Sequence, residues 1–449
     1  MLDKNTYIKR RQKLKELVKQ GIILLLGNTP LPFNYNNNSF PFRQDSTLLY
    51  YTGIDIPDVA VIIDTETGEE TLFGNNTPLC DIIWTGETPT MQQIAYNSGI
   101  DNWLTTDNLK NLIQNAVKQK RKIHYITPYQ AEIKIFLANL IDIDINKIPN
   151  NQSLQLINAA AQMRKTKDLE EIAEIKKAVG ITRRMHEYVI SLCKEKGSSL
   201  TERQISGEIY RYAAGEGYYN SFAPIVTVHG EIFHNQPSDS PLQQGRLLLV
   251  DAGVETTNHY AGDMTRTTPV SGQMTTMQQE IYDIVKNAQD FVKKTAAPGI
   301  LWRDMHNIAA SKIVDGLKSI GLMHGNSDDI VECGAYAMFF PHGLGHLLGL
   351  DVHDMENYGE NNFGYNSNIV RSQQFGPCYL RYGLKLEQGM TITDEPGIYF
   401  IPQLIDQWRA EKKFDNFINY KLLEKYRNFG GIRIEDDLLI TPNGCEVLL

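Results

Sequence analysis

Cysteine is scarce in this chain, and the few present do not pair up in sequence. Cys80, Cys193, Cys333, Cys378 and Cys445 are the only five in 449 residues; they lie far apart and none belongs to a CxxC. An odd, scattered set argues against a disulfide framework and against a thiolate-rich zinc site. Free thiols in a reducing cytoplasm are the expectation. Long apolar runs are missing too, since no stretch approaches the roughly 18 consecutive apolar residues of a membrane span. The N-terminal segment MLDKNTYIKRRQKLKELVKQ is charged throughout and lacks the apolar run of a signal peptide. Positive charge is not in excess either: 44 lysines and arginines stand against 53 aspartates and glutamates, a net charge of −9. Neither nucleic acid nor a membrane is therefore an expected partner.

With 42% apolar and 22% charged residues, the composition is that of a globular chain with a sizeable core. At about 100–200 residues per domain the length fits two domains or three. Residues 1–150 alternate helical and strand-like segments. Lys4–Lys19 reads as a basic amphipathic helix and Gly21–Leu26 as a buried strand. Val59–Asp64 and Glu70–Phe73 flank a hairpin turn, and the asparagine-rich run Asn34–Asn38 reads as a loop. Pro149-Asn150-Asn151 closes the region. A long helix begins after Asp168, an N-cap with Glu171 at the capping-box position, and Leu169, Ile172, Ile175 and Val179 recur at helical spacing. A helix over Thr201–Ala214 follows, then strands at Ile225–Val228 and Leu247–Val250. The order repeats with a helix carrying Ile281, Ile284, Val285, Ala288 and Val292 and another carrying Met305, Ile308, Ile313 and Leu317. Two helices then strands, twice over, predict an α+β class with a duplicated unit and a sheet covered by helices. The division expected is an α/β domain over 1–160 and the duplicated α+β domain over 161–449.

Four segments carry chemistry. The apolar run Leu247–Val250 ends in Asp251, and Asp263 follows twelve residues later, across a turn near Thr256–Asn258. That even spacing puts both carboxylates on one face of an unbulged hairpin. Two anions sharing a buried face repel and lose hydration, which a common cation relieves. Taken alone, a hairpin with two exposed aspartates has the same pattern. Next comes Pro341-His342-Gly-Leu-Gly-His346, with His353 soon after. Its HxxxH spacing is that of a zinc-protease helix, but Gly343, Gly345 and Gly349 argue against helix and the glutamate of that motif is missing. A lone histidine among apolar residues is more often a satisfied core group; three within twelve residues are harder to assign that way. The last two segments, Thr391–Glu395 and Gly430–Glu435, read as buried strands ending in a carboxylate, with Arg433 and Glu435 on the face opposite Ile432 and Ile434. Each alone is also what a salt-bridged strand end looks like. Together, four carboxylates and an imidazole offer mostly hard oxygen donors, which suit manganese, cobalt or iron. Bridging carboxylates let two ions sit about 3.5–4 Å apart.

The order Asp251, Asp263, His346, Glu395, Glu435 resembles the ligand set of the pita-bread metallopeptidases, which include methionine aminopeptidase, aminopeptidase P and prolidase. The resemblance covers roughly 165–449, and Phe42-Arg-Gln-Asp-Ser46 looks like the N-domain of the proline-specific branch. The hairpin between the two aspartates departs from the pattern, being one residue longer. The resemblance implies two divalent ions, manganese first, with cobalt, iron or zinc as alternatives. Asp251 would bind one ion, His346 and Glu395 the other, with Asp263 and Glu435 bridging. Glu395 is then the proton shuttle, His234 and His353 steady the substrate and the oxyanion, and His342 and Arg433 support the ligands or line a proline pocket. The implied substrate is a peptide with proline at its second position, and the implied assembly a homodimer or homotetramer.

Two branches of the family compete. Glu395 lies 42 positions after His353, and Glu435 lies 40 after Glu395. Both lengths resemble prolidase, the Xaa-Pro dipeptidase, and Arg381 lies where prolidases place an arginine for the dipeptide's carboxylate. A surface arginine is the plainer account of Arg381. Phe42–Ser46 and Trp84-Thr-Gly-Glu87 look instead like aminopeptidase P, which trims longer peptides. The reading leans to the dipeptidase, with the aminopeptidase as alternative. A non-catalytic pita-bread binding module is the alternative of another class, and the intact ligand set argues against it.

Overall fold

The computed structural model describes residues 2–270 and 272–449, and the chain divides into two compact units. The first comprises residues up to Arg164 together with Asn357–Asn362. Its five-stranded sheet runs in the order Asn102–Leu104, Glu70–Phe73, Ala60–Asp64, Ile22–Leu26, Ile123–His124. The predicted hairpin is there, with Ala60 opposite Phe73 and Ile63 opposite Glu70. Ile22, Leu24, Ile62 and Phe73 pack with Leu109, Ile113, Leu137 and Leu140 of the covering helices.

The predicted N-terminal helix forms over Lys4–Leu17, and its buried face carries Arg10 and Arg11 beside Tyr7 and Leu14. Arg11 pairs with Glu70 at 2.7 Å and donates to the carbonyls of Tyr51 and Gly99, so its charge closes the unit's interior. The asparagine run is not simply a loop: Pro32–Tyr35 and Asn38–Ser39 pair antiparallel, and Phe33 meets Phe40 edge-on at 4.7 Å. The Phe42–Ser46 motif works as capping hardware. Asp45 caps the helix Ser46–Thr52 by accepting from the Thr47 and Leu48 amides, and buried Gln44 accepts from the Asn28 amide.

The second unit comprises Lys165–Glu356 and Phe363–Leu449. The Asp168–Glu171 capping box starts the helix Leu169–Lys196 as predicted, although Leu169 itself is 85% exposed, since the first turn projects past the apolar face. Helix Glu202–Gly215 follows, then a sheet ordered Thr265–Pro269, Leu247–Asp251, Ile225–Thr227. The second half repeats the order with helices Thr276–Thr295 and Trp302–Ser319, a sheet of Thr391–Asp394, Asp436–Thr441 and Gly444–Val447, and the pair Gly397–Tyr399 and Gly431–Arg433. Ile181, Met185 and Val189 of the long helix pack with Ile205, Ile209, Leu248 and Val250. Burying side chains of this size contributes roughly 1.5–3 kcal/mol each, which holds the carboxylate-bearing strand against the helices. A bridge of Thr265 opposite Glu435 helps join the two halves at the place where the predicted ligands lie. Among the described residues no helix is long and apolar enough to cross a membrane, and the five cysteines are unpaired.

Candidate metal centre and active site

The hairpin carrying the two aspartates keeps one register throughout. Leu247 faces Pro269, Asp251 faces Thr265, and the pairing continues to Glu255 opposite Ala261. With no bulge, Asp251 and Asp263 fall on the same face, as the even spacing requires. The extra length is taken up in the turn, where His259 adopts a left-handed φ of 65° and donates its amide to the Thr256 carbonyl. A three-residue loop with its last residue left-handed suits the twist of the strands. The strands approach so closely that a Cβ on Gly253 would come within 1.9 Å of the Gly262 carbonyl. Neighbouring side chains clamp this hairpin: His186 donates to the Ala252 carbonyl, Ser221 donates to the Gly262 carbonyl, and the Thr182 hydroxyl accepts from the Val254 amide.

His346 arrives from the other half on an extended segment rather than a helix. Its amide donates to the Thr393 hydroxyl at 3.0 Å and its carbonyl accepts from the Thr393 amide at 2.9 Å. A Cβ on Gly345 would meet the Thr393 carbonyl at 1.9 Å, so the glycines serve this close approach. Glu395 follows the strand end, with its amide on the Leu344 carbonyl. Glu435 is held by its amide on the Thr265 carbonyl and by the Thr265 hydroxyl, which donates to Oε2 at 2.6 Å.

These placements converge. Ligand atoms of Asp263, His346 and Glu435 lie within 4.8 Å of one another, and all three residues are buried. His346 Nε2 is 3.4 Å from Asp263 and 3.6 Å from Glu395. Its Nδ1–H donates to the Leu347 carbonyl, which leaves the Nε2 lone pair for the carboxylates. Asp251 joins through Arg433, whose Nη2 is 2.5 Å from its Oδ2. Burial, reinforced by mutual repulsion, raises the carboxyl pKa of Asp263, Glu395 and Glu435, while burial lowers that of His346. The buried Oδ1 atoms of Asp251 and Asp263 have no hydrogen-bond partner among the described residues. Crowded anions with orphaned oxygens beside a neutral imidazole fit a divalent cation centre, because a buried carboxylate without a donor is costly unless it coordinates.

A sequence model for metallopeptidase family M24 matches residues 173–442, and a model for the aminopeptidase P N-terminal domain matches residues 7–125. The chain belongs to family M24. It is 32% identical over 438 residues to a probable Xaa-Pro aminopeptidase of Botryotinia fuckeliana, covering 97% of this chain and 91% of that protein. A second such protein, from Fusarium vanettenii, is 32% identical over 439 residues, covering 96% and 88%. Among solved structures, zinc-substituted Escherichia coli aminopeptidase P in complex with product superposes with a TM-score of 0.80 at 27% identity, and Pseudomonas aeruginosa aminopeptidase PepP with 0.81 at 26%; each covers 100% of this chain and 95% of the other. The α+β pita-bread expectation therefore holds. The leaning to a dipeptidase does not find support, since these relatives are named for aminopeptidase activity. Insertion length misled: part of the segment after His353, Asn357–Asn362, belongs to the first unit.

Around the M24 centre a chain of donors runs in one direction. Arg433 Nη1 donates to the Tyr399 hydroxyl at 3.1 Å, the hydroxyl donates to His342 Nε2 at 2.8 Å, and His342 Nδ1–H donates to the Gly343 carbonyl. Burial and the Arg433 charge push His342 down to about 3, so it stays an acceptor. Phe233 packs edge-on against both Tyr399 and His342, and its neighbour His234 is exposed. The His353 ring lies 4.3 Å from that of His346. Its Nδ1–H donates to Glu356 Oε2 at 2.8 Å, and Glu356 Oε1 lies 3.1 Å from Arg381 Nη1. Sequence reasoning missed Tyr399, Glu356 and Asp437, whose carboxylate accepts from the Asp263 amide at 2.9 Å. The only signal for them was proximity to a predicted ligand: Tyr399 four residues after Glu395, Glu356 three after His353 and Asp437 two after Glu435.

Proposed function

We propose that this protein is a metal-dependent Xaa-Pro aminopeptidase that removes the first residue from peptides longer than two with proline in second position. The observation that carries the reading is the convergence of Asp263, His346 and Glu435 ligand atoms within 4.8 Å. It occurs in a chain matched over 97% of its length by a relative named for that activity. Asp251, Asp263, His346, Glu395 and Glu435 would hold two divalent ions, manganese first, with cobalt, iron or zinc as alternatives. Such ions, when bound, polarise the scissile carbonyl and lower the pKa of water. Glu395 would carry a proton from the attacking water to the departing proline nitrogen, a role that its pKa, raised by burial, supports. Phe233, His342 and Tyr399 offer an aromatic wall for the proline ring. His353, with Nδ1–H committed to a carboxylate, presents Nε2 as an acceptor for a substrate N–H when neutral, and as a donor to a developing oxyanion when charged.

A dedicated enzyme makes chemical sense because the Xaa-Pro bond has no N–H and proline fixes φ, so peptidases that read extended backbone lose a hydrogen bond there. The same proposal includes an N-terminal domain over 1–160, a catalytic domain over 161–449 and a homodimer or homotetramer, which rest on the family resemblance, and a cytoplasmic location, which rests on the scattered cysteines. The test compares Ala-Pro-Ala with Ala-Pro in the manganese-loaded enzyme. Cleavage of the tripeptide at least as fast as the dipeptide is the expected result; a strict preference for Ala-Pro would return the dipeptidase reading.

A further inference from the structure

Beyond the metal ligands, Glu356 holds two groups at once. One carboxylate oxygen takes the Nδ1–H of His353 and the other lies 3.1 Å from the Arg381 guanidinium. Neither contact is deep, with Glu356 about half exposed and the other two side chains roughly one-third exposed. The His353 hydrogen bond, with help from Arg381, nevertheless holds the Glu356 carboxyl down at about 2, so it is an anion across the working range. Arg381 also exerts its charge on His346 and His353 and so lies within electrostatic reach of the centre.

A dipeptide differs from a longer peptide in one way that matters here. Its carboxylate sits on the proline, one residue from the bond to be cut, whereas a tripeptide has a neutral peptide group there. A guanidinium near the centre is the natural partner for that carboxylate. In this chain the guanidinium is already neutralised from within. A dipeptide must displace Glu356 from Arg381 or bring a second anion beside it, and either costs binding energy that a longer substrate does not lose. We infer that Glu356 is a specificity-determining positioning residue, which withholds Arg381 from dipeptide carboxylates while fixing His353, and so biases the enzyme toward longer peptides. The inference rests on the proposed peptidase activity and names the feature that sets its substrate length.

Glu356→Gln separates the two roles. The amide keeps an oxygen to accept from His353 but turns N–H groups toward Arg381, releasing the guanidinium. In the manganese-loaded enzyme, kcat/KM for Ala-Pro should rise about tenfold, mainly through KM, as a charge-assisted contact becomes available. Ala-Pro-Ala and the amidated dipeptide Ala-Pro-NH2 bring no carboxylate to Arg381 and should not gain. Adding Arg381→Ala to Glu356→Gln should abolish the gain. An unchanged ratio of Ala-Pro to Ala-Pro-Ala overturns the inference, as does an equal gain for Ala-Pro-NH2 or a loss of activity on all three peptides with fold and metal content intact. The ratio is informative whichever peptide the wild type prefers, so its failure is distinct from failure of the aminopeptidase reading.

Discussion

Arg433 and Asp251 meet across the two halves of the catalytic unit, Nη2 to Oδ2 at 2.5 Å, both buried at the strand ends that carry the centre. The same guanidinium donates from Nε to the Thr265 hydroxyl at 3.1 Å and from Nη1 to Tyr399. Thr265 in turn donates to Glu435, so one planar cation orients two carboxylates from opposite halves. A compact ammonium would not span these three partners. Arg433→Lys should therefore weaken metal affinity about 10- to 100-fold, in the range seen when a group orienting metal ligands is lost. Metal titration of the variant by calorimetry checks this, and wild-type affinity would show that Asp251 needs no such anchor.

Burial, reinforced by repulsion from neighbouring carboxylates, raises the pKa values of Asp263, Glu395 and Glu435 even with the Arg433 guanidinium nearby. A cation binds the deprotonated forms, so loading the site must release protons. Affinity for manganese should be higher at about pH 8 than at about pH 6, and removal of metal by chelator should take protons up. Metal titrations in buffers of differing ionisation enthalpy report the proton count directly. No proton release across this range would mean the carboxylates are already ionised without metal.

Much of the centre was legible because its logic is periodic. The twelve-position step from Asp251 to Asp263 fixed their shared face once the hairpin was unbulged, and the capping box at Asp168 and Glu171 marked the long helix. Glu395 and Glu435 stood out as carboxylates after apolar runs. The rest depends on contacts between distant segments that carry no local period. Tyr399 is one more aromatic in a buried strand until Arg433 and His342 close on it. Helical spacing does not reveal that Arg10 and Arg11 lie inside, or that Glu70 and the Tyr51 carbonyl await Arg11. Insertion length after His353 says nothing about which unit the inserted residues join, and that led the reading toward a dipeptidase.

Glu395 is argued to be both a ligand and the proton carrier, whereas His346 is a ligand only. Glu395→Gln keeps a coordinating oxygen but carries no proton, so kcat should fall about 10²- to 10⁴-fold with the fold intact. His346→Ala should instead release one ion and leave the other bound. Metal content after gel filtration distinguishes them: near-native turnover in Glu395→Gln removes its assignment, and equal loss of both ions from His346→Ala points to a collapsed site.

Acid sensitivity should arise away from the centre as well. His306 is fully buried on the helix Trp302–Ser319, with Nε2 at 2.8 Å from the Tyr336 hydroxyl and Nδ1 without a partner among the described residues. Burial pushes its pKa down to about 4. Above the unfolded value of about 6.5, both states leave it neutral and it adds no pH dependence. As pH falls from there toward about 4, the unfolded chain gains a proton that the folded one refuses, so stability drops by up to roughly 3 kcal/mol. His306→Gln removes the titrating group. The variant should start less stable near neutral pH, having lost packing against Tyr336 and Phe340. Its Tm should then fall less than that of the wild type as the pH is lowered to about 5. Metal-free protein is the right material, because ions lost from the centre in acid then do not enter the comparison. Parallel Tm curves for the two proteins would show that His306 is protonated in the folded state and that the acid sensitivity lies elsewhere.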